Sequence, residues 1–382
     1  MESDETLFAQ QQVVRLQALL EASRRIHSTI ELDKVLRIVL EIVVRELELV
    51  GAYFTTFPYS YGDVPAEVLS GGSASGAPEG WVQFPLHDRK GEVFTELVVM
   101  PSPGHTFSLD EEDFLESLAL QSAVAIENAR FHERTLLWQR VEIDLASARA
   151  IQRSLLPQEV GAIPGYSIAA RSDTCYEVGG DYVDIVPLLS GDTIVVMADV
   201  AGKGLASALV GTSFRSAFRA MANSDMDLVE IATQMNQLHY SEGDESRKRY
   251  VTAIFLRLSP GTNTLEAVNA GHNPAFLQIG DGVLMEIKAS GTPVGMLPIS
   301  TYSSERWVLG RGSRLLLYTD GLTEVFQGEE EFGSERLLAA FEHCADETAE
   351  DVLASLWQTL DGFSDGQPQS DDMTALVLIR QQ

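Results

Sequence analysis

The first fifty residues carry apolar side chains at helical spacing and contain neither glycine nor proline. A stripe with this period is typical of an amphipathic helix. The recurring positions form two groups, Val13, Leu16, Leu19 and Leu20, and then Val35, Leu36, Val39, Leu40 and Val43. The pattern predicts two helices with a break near Ser28 and Thr29.

Three runs rich in apolar, β-branched and aromatic residues follow, and this composition is typical of strands. They are Val50–Phe57, Trp81–Leu86 and Val93–Met100. The segment Gly71–Gly76 separates the first two runs and predicts a loop. Together with the helices on either side, these strands predict a small α+β domain.

A second stretch without glycine or proline runs from Leu109 to Leu156 and ends at Pro157. Ser108 and Glu111 before it have the Ser-x-x-Glu spacing of a capping box. One continuous helix of this length would be roughly 70 Å long at ~1.5 Å per residue. Its second half carries an apolar stripe at Leu137, Val141, Leu145, Ala148, Ile151 and Leu155. Such a stripe must pack against a partner helix or another domain, so we predict a homodimer through a coiled coil. Packing on its own chain alone is the alternative.

Beyond Pro157 the chain alternates short β-rich runs with four helical segments. The predicted strands are Tyr166–Ala170, Tyr182–Leu189, Thr193–Val200, Val251–Leu258, Thr264–Asn269, Ala275–Ile279, Arg314–Thr319 and Thr374–Ile379. The predicted helices are Leu205–Ala222, Leu228–Tyr240, Ser334–Cys344 and Ala349–Phe363. Consecutive strands joined by short turns indicate antiparallel sheets with helices outside. We therefore predict a domain at 1–134, a linker helix at 135–156 and a second domain at 157–382.

The composition narrows the class of protein. The 382 residues are 45% hydrophobic, and the net charge is −29. Such acidity disfavours nucleic acid or an anionic membrane surface as a partner, since both bind clustered Lys and Arg. Two cysteines fit a reducing compartment. The acidic N-terminus lacks the apolar segment of a signal peptide, and no apolar run approaches the ~18 residues of a spanning helix. These features predict a cytoplasmic protein.

Four aspartates share one context, at or next to the end of a predicted strand and beside glycine or another aspartate. They are Asp181, Asp199, Asp320 and Asp371. Clustered carboxylates repel one another unless cations lie between them, and ligation by oxygen alone selects Mg²⁺ or Mn²⁺. Two such ions ~3.5–4 Å apart can acidify a water and stabilise in-line attack on a phosphoryl group. The backbone carbonyl of Val200 is a candidate further ligand. Each motif alone is weak, because Asp-Gly is a common turn.

Residues ~150–382 resemble the PPM metal-dependent serine/threonine phosphatases, and within them the bacterial stage II sporulation protein E type, which includes sigma-factor regulators. The matching motifs are Ile151–Pro157, Val178–Asp184, Asp199–Gly204, Tyr250–Ala253, Asn269–Pro274, Gly291–Gly295, Leu316–Glu324 and Asp371–Thr374. The resemblance implies an α-β-β-α sandwich of two antiparallel sheets with the metals at one edge.

The resemblance also implies roles for the matched positions. Asp199 would bridge two Mn²⁺ or Mg²⁺ ions, with the Val200 carbonyl on one of them. Asp320 and Asp371 would ligate the other ion, and Asp181 would ligate directly or through water. The nucleophile would be a water activated by the metals and not a side chain. Family substrates are phosphoserine or phosphothreonine on anti-anti-sigma proteins, which implies a phosphoric monoester hydrolase. The phosphate-binding arginine of eukaryotic members has no match, so Arg153 and Arg171 are candidates without a motif.

Residues ~15–134 resemble a GAF domain more loosely, through an entry helix, a central sheet and a long exit helix. GAF domains bind small ligands or partner proteins and often dimerise through their flanking helices. We therefore expect a sensor domain, with or without a small ligand. We also expect it to act through the long helix on the helices predicted at 205–240, which directly follow the Asp199 motif.

Two other functions are compatible with some of the same residues. A catalytically inactive phosphatase fold would be a scaffold or binding module. A nucleotide cyclase is suggested faintly by Gly179-Gly180-Asp181, but it gives no reason for Asp320 or Asp371. No His-x-x-x-His pair and no Cys-x5-Arg motif exist, so zincin and cysteine-phosphatase chemistry are excluded. His272 is expected to be a packed, hydrogen-bonded residue, and Lys203 to cap or to face solvent.

Overall fold

The computed structural model describes residues 16–70, 80–155, 163–242, 249–280, 282–344 and 348–381. The predictions that concern Val13, the loop Gly71–Gly76, Leu156 and Pro157 lie outside these ranges. The chain divides into two compact units, Met1–Glu142 and Ile143–Gln382.

The N-terminal unit contains a four-stranded antiparallel sheet with strand order β2-β1-β4-β3. Its strands are β1 Gly51–Phe54, β2 Ser60–Gly62, β3 Val82–His87 and β4 Val93–Met100. Its first helices are α1 at 16–26, α2 Leu32–Glu46 and α3 Ala66–Ser70. The three predicted strands and the helix break are confirmed, although β1 ends at Phe54. Strand β2 was not predicted, because its three residues are largely exposed and carry no apolar run.

The core of this unit forms where α2 meets the sheet. The predicted apolar stripe of α2 is buried throughout, at Val35, Leu36, Val39, Leu40 and Val43. The first part of the long helix adds Leu115, Leu118 and Ile126 to the same cluster. Removing these side chains from water supplies the stabilisation, roughly 25 cal/mol for each Å² of apolar surface.

The long helix, α4, runs without interruption from Leu109 to Leu155, 47 residues. Its capping box is formed as predicted, with the backbone N–H of Ser108 donating to Glu111 Oε2 at 2.8 Å. In return, the backbone N–H of Glu111 donates to Ser108 Oγ at 3.3 Å. Because both groups at the helix start are satisfied, the cap defines where α4 begins.

The C-terminal unit holds two five-stranded antiparallel sheets, β11-β10-β13-β16-β5 and β12-β9-β8-β7-β6. Its strands are β5 Tyr166–Asp173, β6 Tyr182–Pro187, β7 Thr193–Val200, β8 Val251–Ser259, β9 Thr264–Ala270, β10 Ala275–Ile279, β11 Val283–Ile287, β12 Glu305–Val308, β13 Arg314–Tyr318, β14 Phe326–Gln327, β15 Glu330–Glu331 and β16 Met373–Arg380. Its helices are α5 Leu205–Ala222, α6 Leu228–Glu242, α7 Gly333–His343 and α8 Ala349–Ser364. All eight predicted strands and four predicted helices are present, and β11, β12, β14 and β15 were missed.

The two sheets pack face to face, and helices cover their outer faces. Leu315 and Leu317 of β13 lie in the cluster between the sheets, whereas Leu316 and Tyr318 lie in the cluster under α7 and α8. Strand β7 alternates likewise, with α5 and α6 on its outer face. Strands buried on both faces read as continuous apolar runs, which is why they were predictable. The predicted α-β-β-α sandwich is confirmed. Among the residues described, none of the helices combines the length and apolar character needed to cross a bilayer.

Candidate active site

Strand register brings the predicted ligands together in pairs. In one sheet, Tyr182 of β6 pairs with Ala198 of β7, so Asp181 and Asp199 lie at the same edge. Asp199 is the last residue but one of β7, as the predicted bounds Thr193–Val200 imply.

In the other sheet, Tyr318 of β13 pairs with Ala375 of β16, and the backbone N–H of Thr319 donates to Thr374 O at 2.9 Å. Asp320 follows β13, in the 3₁₀ turn Asp320–Leu322, and Asp371 precedes β16. The start of β16 and the end of β13 therefore place these two carboxylates at one edge, as the antiparallel pairing requires.

The pleat then aims the side chains into the space between the sheets. Residues i and i+2 of a strand face the same side. Val195 and Met197 of β7 face the other sheet, and Asp199 continues their row. In β6, Val183 also faces the other sheet, and Asp181 lies two residues before it on the same side. The buried rows between the sheets thus end in carboxylates.

Hydrogen bonds join the two sheets at this edge. Thr319 Oγ1 donates to Asp181 Oδ2 at 2.7 Å, and the backbone N–H of Gly180 donates to Asp372 Oδ2 at 2.8 Å. The backbone N–H of Cys175 donates to Asp372 Oδ1 at 2.8 Å. Asp372 was not predicted as a site residue. Its buried carboxylate holds the Cys175–Asp181 segment in place next to the candidate ligand Asp371, and only its position in the Asp-Asp pair hinted at this.

Two glycines, Gly179 and Gly321, approach Asp372 too closely for any other residue to fit. A Cβ added at Gly179 would lie 2.3 Å from Asp372 Oδ2, and one at Gly321 would lie 2.0 Å from the carbonyl oxygen of Asp372. A Cβ at Gly180 would lie 3.1 Å from the Val200 carbonyl oxygen, so that carbonyl lies beside the Asp181 segment. The glycines allow the backbone segments to approach this closely.

The carboxylates share one electrostatic environment. Burial, and then the negative charges of Asp320 and Asp371, raise the pKa of Asp199 to about 7. Burial, followed by the charge of Asp199, raises the pKa of Asp181 well above its ordinary value. Burial and then Asp371 raise the pKa of Asp320, and burial and then Asp320 raise that of Glu324. This mutual repulsion is expected where carboxylates lie close together without a cation.

Lys203 is the cation that this arrangement contains. Its Nζ pairs with Asp371 Oδ2 at 2.7 Å and donates to Ser370 O at 2.8 Å. As expected, Lys203 caps a backbone carbonyl and its side chain is 43% exposed, but its ion pair with a candidate ligand was not predicted. In the described part of the chain, no three His, Cys, Asp or Glu side chains converge as in a formed metal centre.

The donor set nevertheless fits hard divalent cations. It consists of carboxylate oxygens with a neighbouring backbone carbonyl, and the raised pKa of Asp199 shows that added positive charge would be favourable there. Asp320 and Asp371 raise the pKa of Asp199 although these side chains do not form a closed cage. Coulomb interactions extend over several ångströms more than ligation does.

A second buried carboxylate, Asp184, serves the fold. Arg219 binds it through two hydrogen bonds, at 2.6 Å from Nε and 2.9 Å from Nη2, and Tyr182 donates its hydroxyl to the same carboxylate. Burial opposes ionisation of Asp184, but the hydrogen bonds from Arg219 and Tyr182 outweigh it and lower its pKa. The Arg219–Asp184 pair joins α5 to β6, and Asp184 lies three residues after Asp181.

His272 and Arg171, which the sequence also singled out, are held by contacts with neighbouring residues. His272 is buried as expected, with Nδ1 2.9 Å from Thr252 Oγ1, and burial lowers its pKa to about 4, so it is neutral at pH 7. Arg171 lines a cavity of about 130 Å³ beside Gly321. Its guanidinium pairs with Asp173 at 2.9 Å and lies 4.6 Å above the Trp357 ring, so neighbours already hold it.

Comparison with known proteins agrees with this fold. The SiaA-PP2C domain of Pseudomonas aeruginosa superposes with a TM-score of 0.58 at 21% identity, covering 64% of this chain and 99% of that domain. The C-terminal unit therefore has the fold of a PP2C phosphatase domain.

The family model for stage II sporulation protein E (SpoIIE) matches residues 190–381, which is 192 of the 382 residues. The chain belongs to the stage II sporulation protein E family. Protein IcfG of Synechocystis sp. is 28% identical over 280 residues, which cover 65% of this chain and 44% of IcfG. The phosphoserine phosphatase RsbP of Bacillus subtilis is 27% identical over 183 residues, which cover 47% of this chain and 45% of RsbP. The chain thus spans less than half the length of either relative.

Proposed function

We propose that the C-terminal unit is a metal-dependent protein serine/threonine phosphatase. The observation that carries this proposal is that Asp181, Asp199, Asp320 and Asp371 lie at one edge of the sandwich, where burial and neighbouring carboxylates raise the pKa of the first three. Membership of the family and the relative named a phosphoserine phosphatase support the same chemistry.

Two Mn²⁺ or Mg²⁺ ions would be held by the residues described above. Asp199 would bridge them, the Val200 carbonyl would bind one, and Asp320 and Asp371 would bind the other. Asp181 would bind directly or through water. When bound, such ions supply Lewis-acid activation of the attacking water and neutralise charge on the phosphoryl group.

The protein's own residues orient this site. Thr319 fixes one oxygen of Asp181 by its hydrogen bond, so the other oxygen is left for ligation. Asp199 ionises readily only when cationic charge is nearby, because its pKa is raised to about 7 without it. Lys203 occupies one oxygen of Asp371 and would compete with a cation for that oxygen.

The substrate that we propose is phosphoserine or phosphothreonine on an anti-anti-sigma protein, which would make the chain a sigma-factor regulator. The support is family membership, since the cluster itself recognises only a phosphoryl group and metals. An Asp199→Asn protein should retain the phosphorylated substrate while turnover is lost. Affinity capture with this variant, read by mass spectrometry, should enrich one small phosphoprotein over the wild-type control.

The activity itself is tested by phosphate release from a phosphoserine peptide and from p-nitrophenyl phosphate. The full chain should require Mn²⁺ or Mg²⁺, lose activity in a chelator and regain it on metal addition. Asp320→Asn should lose nearly all turnover while remaining folded by circular dichroism. Lack of turnover at any metal concentration would favour the scaffold alternative. Full activity in a chelated sample would refute the two-metal proposal.

We further propose that the N-terminal unit is a GAF-like sensor and that the linker helix at 135–156 dimerises. An open groove of about 640 Å³ between β3 and α4 is the candidate place for a small ligand or partner. Leu137, Val141 and Ile151 of the apolar stripe are 59%, 47% and 63% exposed, which leaves the stripe available to a second copy of the helix.

The dimer proposal is tested by light scattering coupled to gel filtration. The full chain should have twice the monomer mass, and a Leu137→Glu/Val141→Glu double variant should be monomeric. Gln139→Glu, an exposed position on the same helix, is the matched control and should remain dimeric. A monomeric wild-type chain at micromolar concentration would contradict the proposal.

A further inference from the structure

Gln152, on the last turn of α4, binds both backbone groups of one residue, Gly179, through the two ends of its side-chain amide. Its Nε2 donates to Gly179 O at 2.7 Å, and the backbone N–H of Gly179 donates to Gln152 Oε1 at 3.2 Å. The opposite orientation of the amide would place donor against donor and acceptor against acceptor. The chemistry of the contact therefore admits one orientation and requires an amide.

Gly179, the residue that Gln152 holds, lies two residues before the candidate ligand Asp181. On its other side, Gly180 donates its backbone N–H to Asp372 Oδ2 at 2.8 Å. A Cβ at Gly179 would lie 2.3 Å from the same oxygen, so there is no free space on the Asp372 side. Gln152 and Asp372 thus hold the Gly179–Gly180 segment from two directions, and Asp181 is the next residue in the chain.

The same turn of α4 also contacts the segment that follows the second ligand motif. Arg215 of α5 donates from Nε to the carbonyl oxygen of Leu155 at 3.1 Å. Helix α5 begins at Leu205, directly after the Asp199–Gly204 motif. The end of α4 therefore touches both the Asp181 segment and the helix attached to the Asp199 segment.

We infer that Gln152 is a positioning residue for the metal site, through which the placement of the last turn of α4 controls the placement of Asp181. This inference rests on the proposed function for the identity of the site. Shifting the turn would break both hydrogen bonds to Gly179 and leave Asp372 as the remaining support of the segment. Groups that orient ligands in this way typically change metal affinity or activity by about 10–100-fold when they are removed.

The test uses the full chain with two near-isosteric substitutions. Gln152→Met preserves the length and apolar packing but removes both hydrogen bonds. Gln152→Glu keeps an acceptor for the Gly179 N–H but faces the Gly179 carbonyl oxygen with a carboxylate. Ser154→Ala is the matched control, because the Ser154 hydroxyl bonds only to Ile151 O within the same helix turn among its assigned partners.

Three quantities are measured: the Mn²⁺ dissociation constant by calorimetry, kcat and KM on p-nitrophenyl phosphate, and hydrogen exchange of a peptide that contains Gly179. Gln152→Met should weaken Mn²⁺ binding and lower kcat by about tenfold, with KM changed less than twofold and faster exchange at the Gly179 peptide. Gln152→Glu should lose at least as much, and Ser154→Ala should remain within twofold of wild type.

Two outcomes would overturn the inference. One is wild-type Mn²⁺ affinity and kcat in Gln152→Met, which would mean that Gln152 only fills space. The other is a lower melting temperature with unchanged Mn²⁺ affinity, which would mean that it supports the fold alone. A wild-type chain that binds Mn²⁺ without hydrolysing phosphate esters would instead reject the proposed function, and the Mn²⁺ titration would still decide the role of Gln152.

Discussion

Replacing Asp199 by asparagine removes one negative charge from the centre of the carboxylate cluster with little change in shape. In the metal-free protein, burial and then Asp320 and Asp371 raise the pKa of Asp199 to about 7. The ionised carboxylate is therefore unfavourable in the folded state at neutral pH. We expect Asp199→Asn to stabilise the metal-free fold while it abolishes metal binding.

The magnitude follows from linkage between protonation and folding. The pKa rises from 3.8 to about 7, and at about 1.36 kcal/mol per pKa unit the difference corresponds to about 4 kcal/mol. A carboxyl whose pKa is raised on folding contributes its stabilisation at low pH and loses it as the pH rises through the folded-state value. Between pH 5 and pH 8 this loss amounts to about 2–3 kcal/mol. The asparagine variant does not titrate and so avoids it.

The assay is thermal unfolding by calorimetry in a chelator at pH 5 and pH 8, followed by Mn²⁺ addition. At pH 8, where Asp199 is ionised in the folded and the unfolded wild type, the metal-free variant should be about 4 kcal/mol more stable than wild type, or roughly 8–16 °C in Tm for a domain of this size. The gap should narrow at pH 5. Mn²⁺ at about 100 times its Kd should add about 2.7 kcal/mol to wild type and nothing to the variant.

Asp225→Asn, at an exposed aspartate, is the charge-matched control and should show neither effect. The reasoning is refuted if metal-free Asp199→Asn is less stable than wild type at pH 8, since Asp199 would then be stabilising when ionised. It is also refuted if Mn²⁺ stabilises wild type and the variant equally, since the ions would then bind elsewhere.

Three further predictions concern neighbouring charges. Because protons compete with cations for Asp199, Mn²⁺ affinity measured by calorimetry should fall about tenfold per pH unit below pH 7; affinity independent of pH between 5 and 8 would contradict this. Lys203→Gln removes the ammonium group that pairs with Asp371, so Mn²⁺ should bind about threefold to tenfold more tightly. The control Lys288→Gln, at an exposed ion pair, should leave the Mn²⁺ affinity unchanged. Weaker Mn²⁺ binding in Lys203→Gln would show that the lysine assists the metal. Arg219→Met leaves Asp184 buried without its cation and should lower the free energy of unfolding, measured in urea, by about 3 kcal/mol. The double variant Arg219→Met/Asp184→Asn should recover part of this loss. A loss under about 1 kcal/mol would show that the hydrogen bond from Tyr182 alone is enough to stabilise Asp184.

Much of the fold was predictable because its signals are local. The bounds of α5 agree with the prediction to the residue, and those of β7 do as well. The continuous α4 followed from the lack of glycine and proline together with the capping box at Ser108. Edge strand β12 was missed because its residues are largely exposed and form no continuous apolar run, whereas β11 was missed although Val283–Met285 are apolar. A half-exposed edge strand lacks the continuous apolar run that marks a buried one.

The candidate ligands were predicted as residue types in a motif order, and their convergence came from the resemblance to a family. What aligns them is antiparallel register, which sets Tyr182 against Ala198 and Tyr318 against Ala375. Register depends on partners far apart in the chain, so no local pattern shows it.

The sequence by itself determined most of the elements, the two-part organisation and the acidic candidate ligands, because propensity, periodicity and composition act over a few neighbouring residues. Only the tertiary structure decided that Lys203 pairs with Asp371 and that Gln152 holds Gly179. It also decided that Asp372 supports the ligand segment. These contacts join residues 27 to 192 positions apart and exist only when two sheets and a helix are packed together.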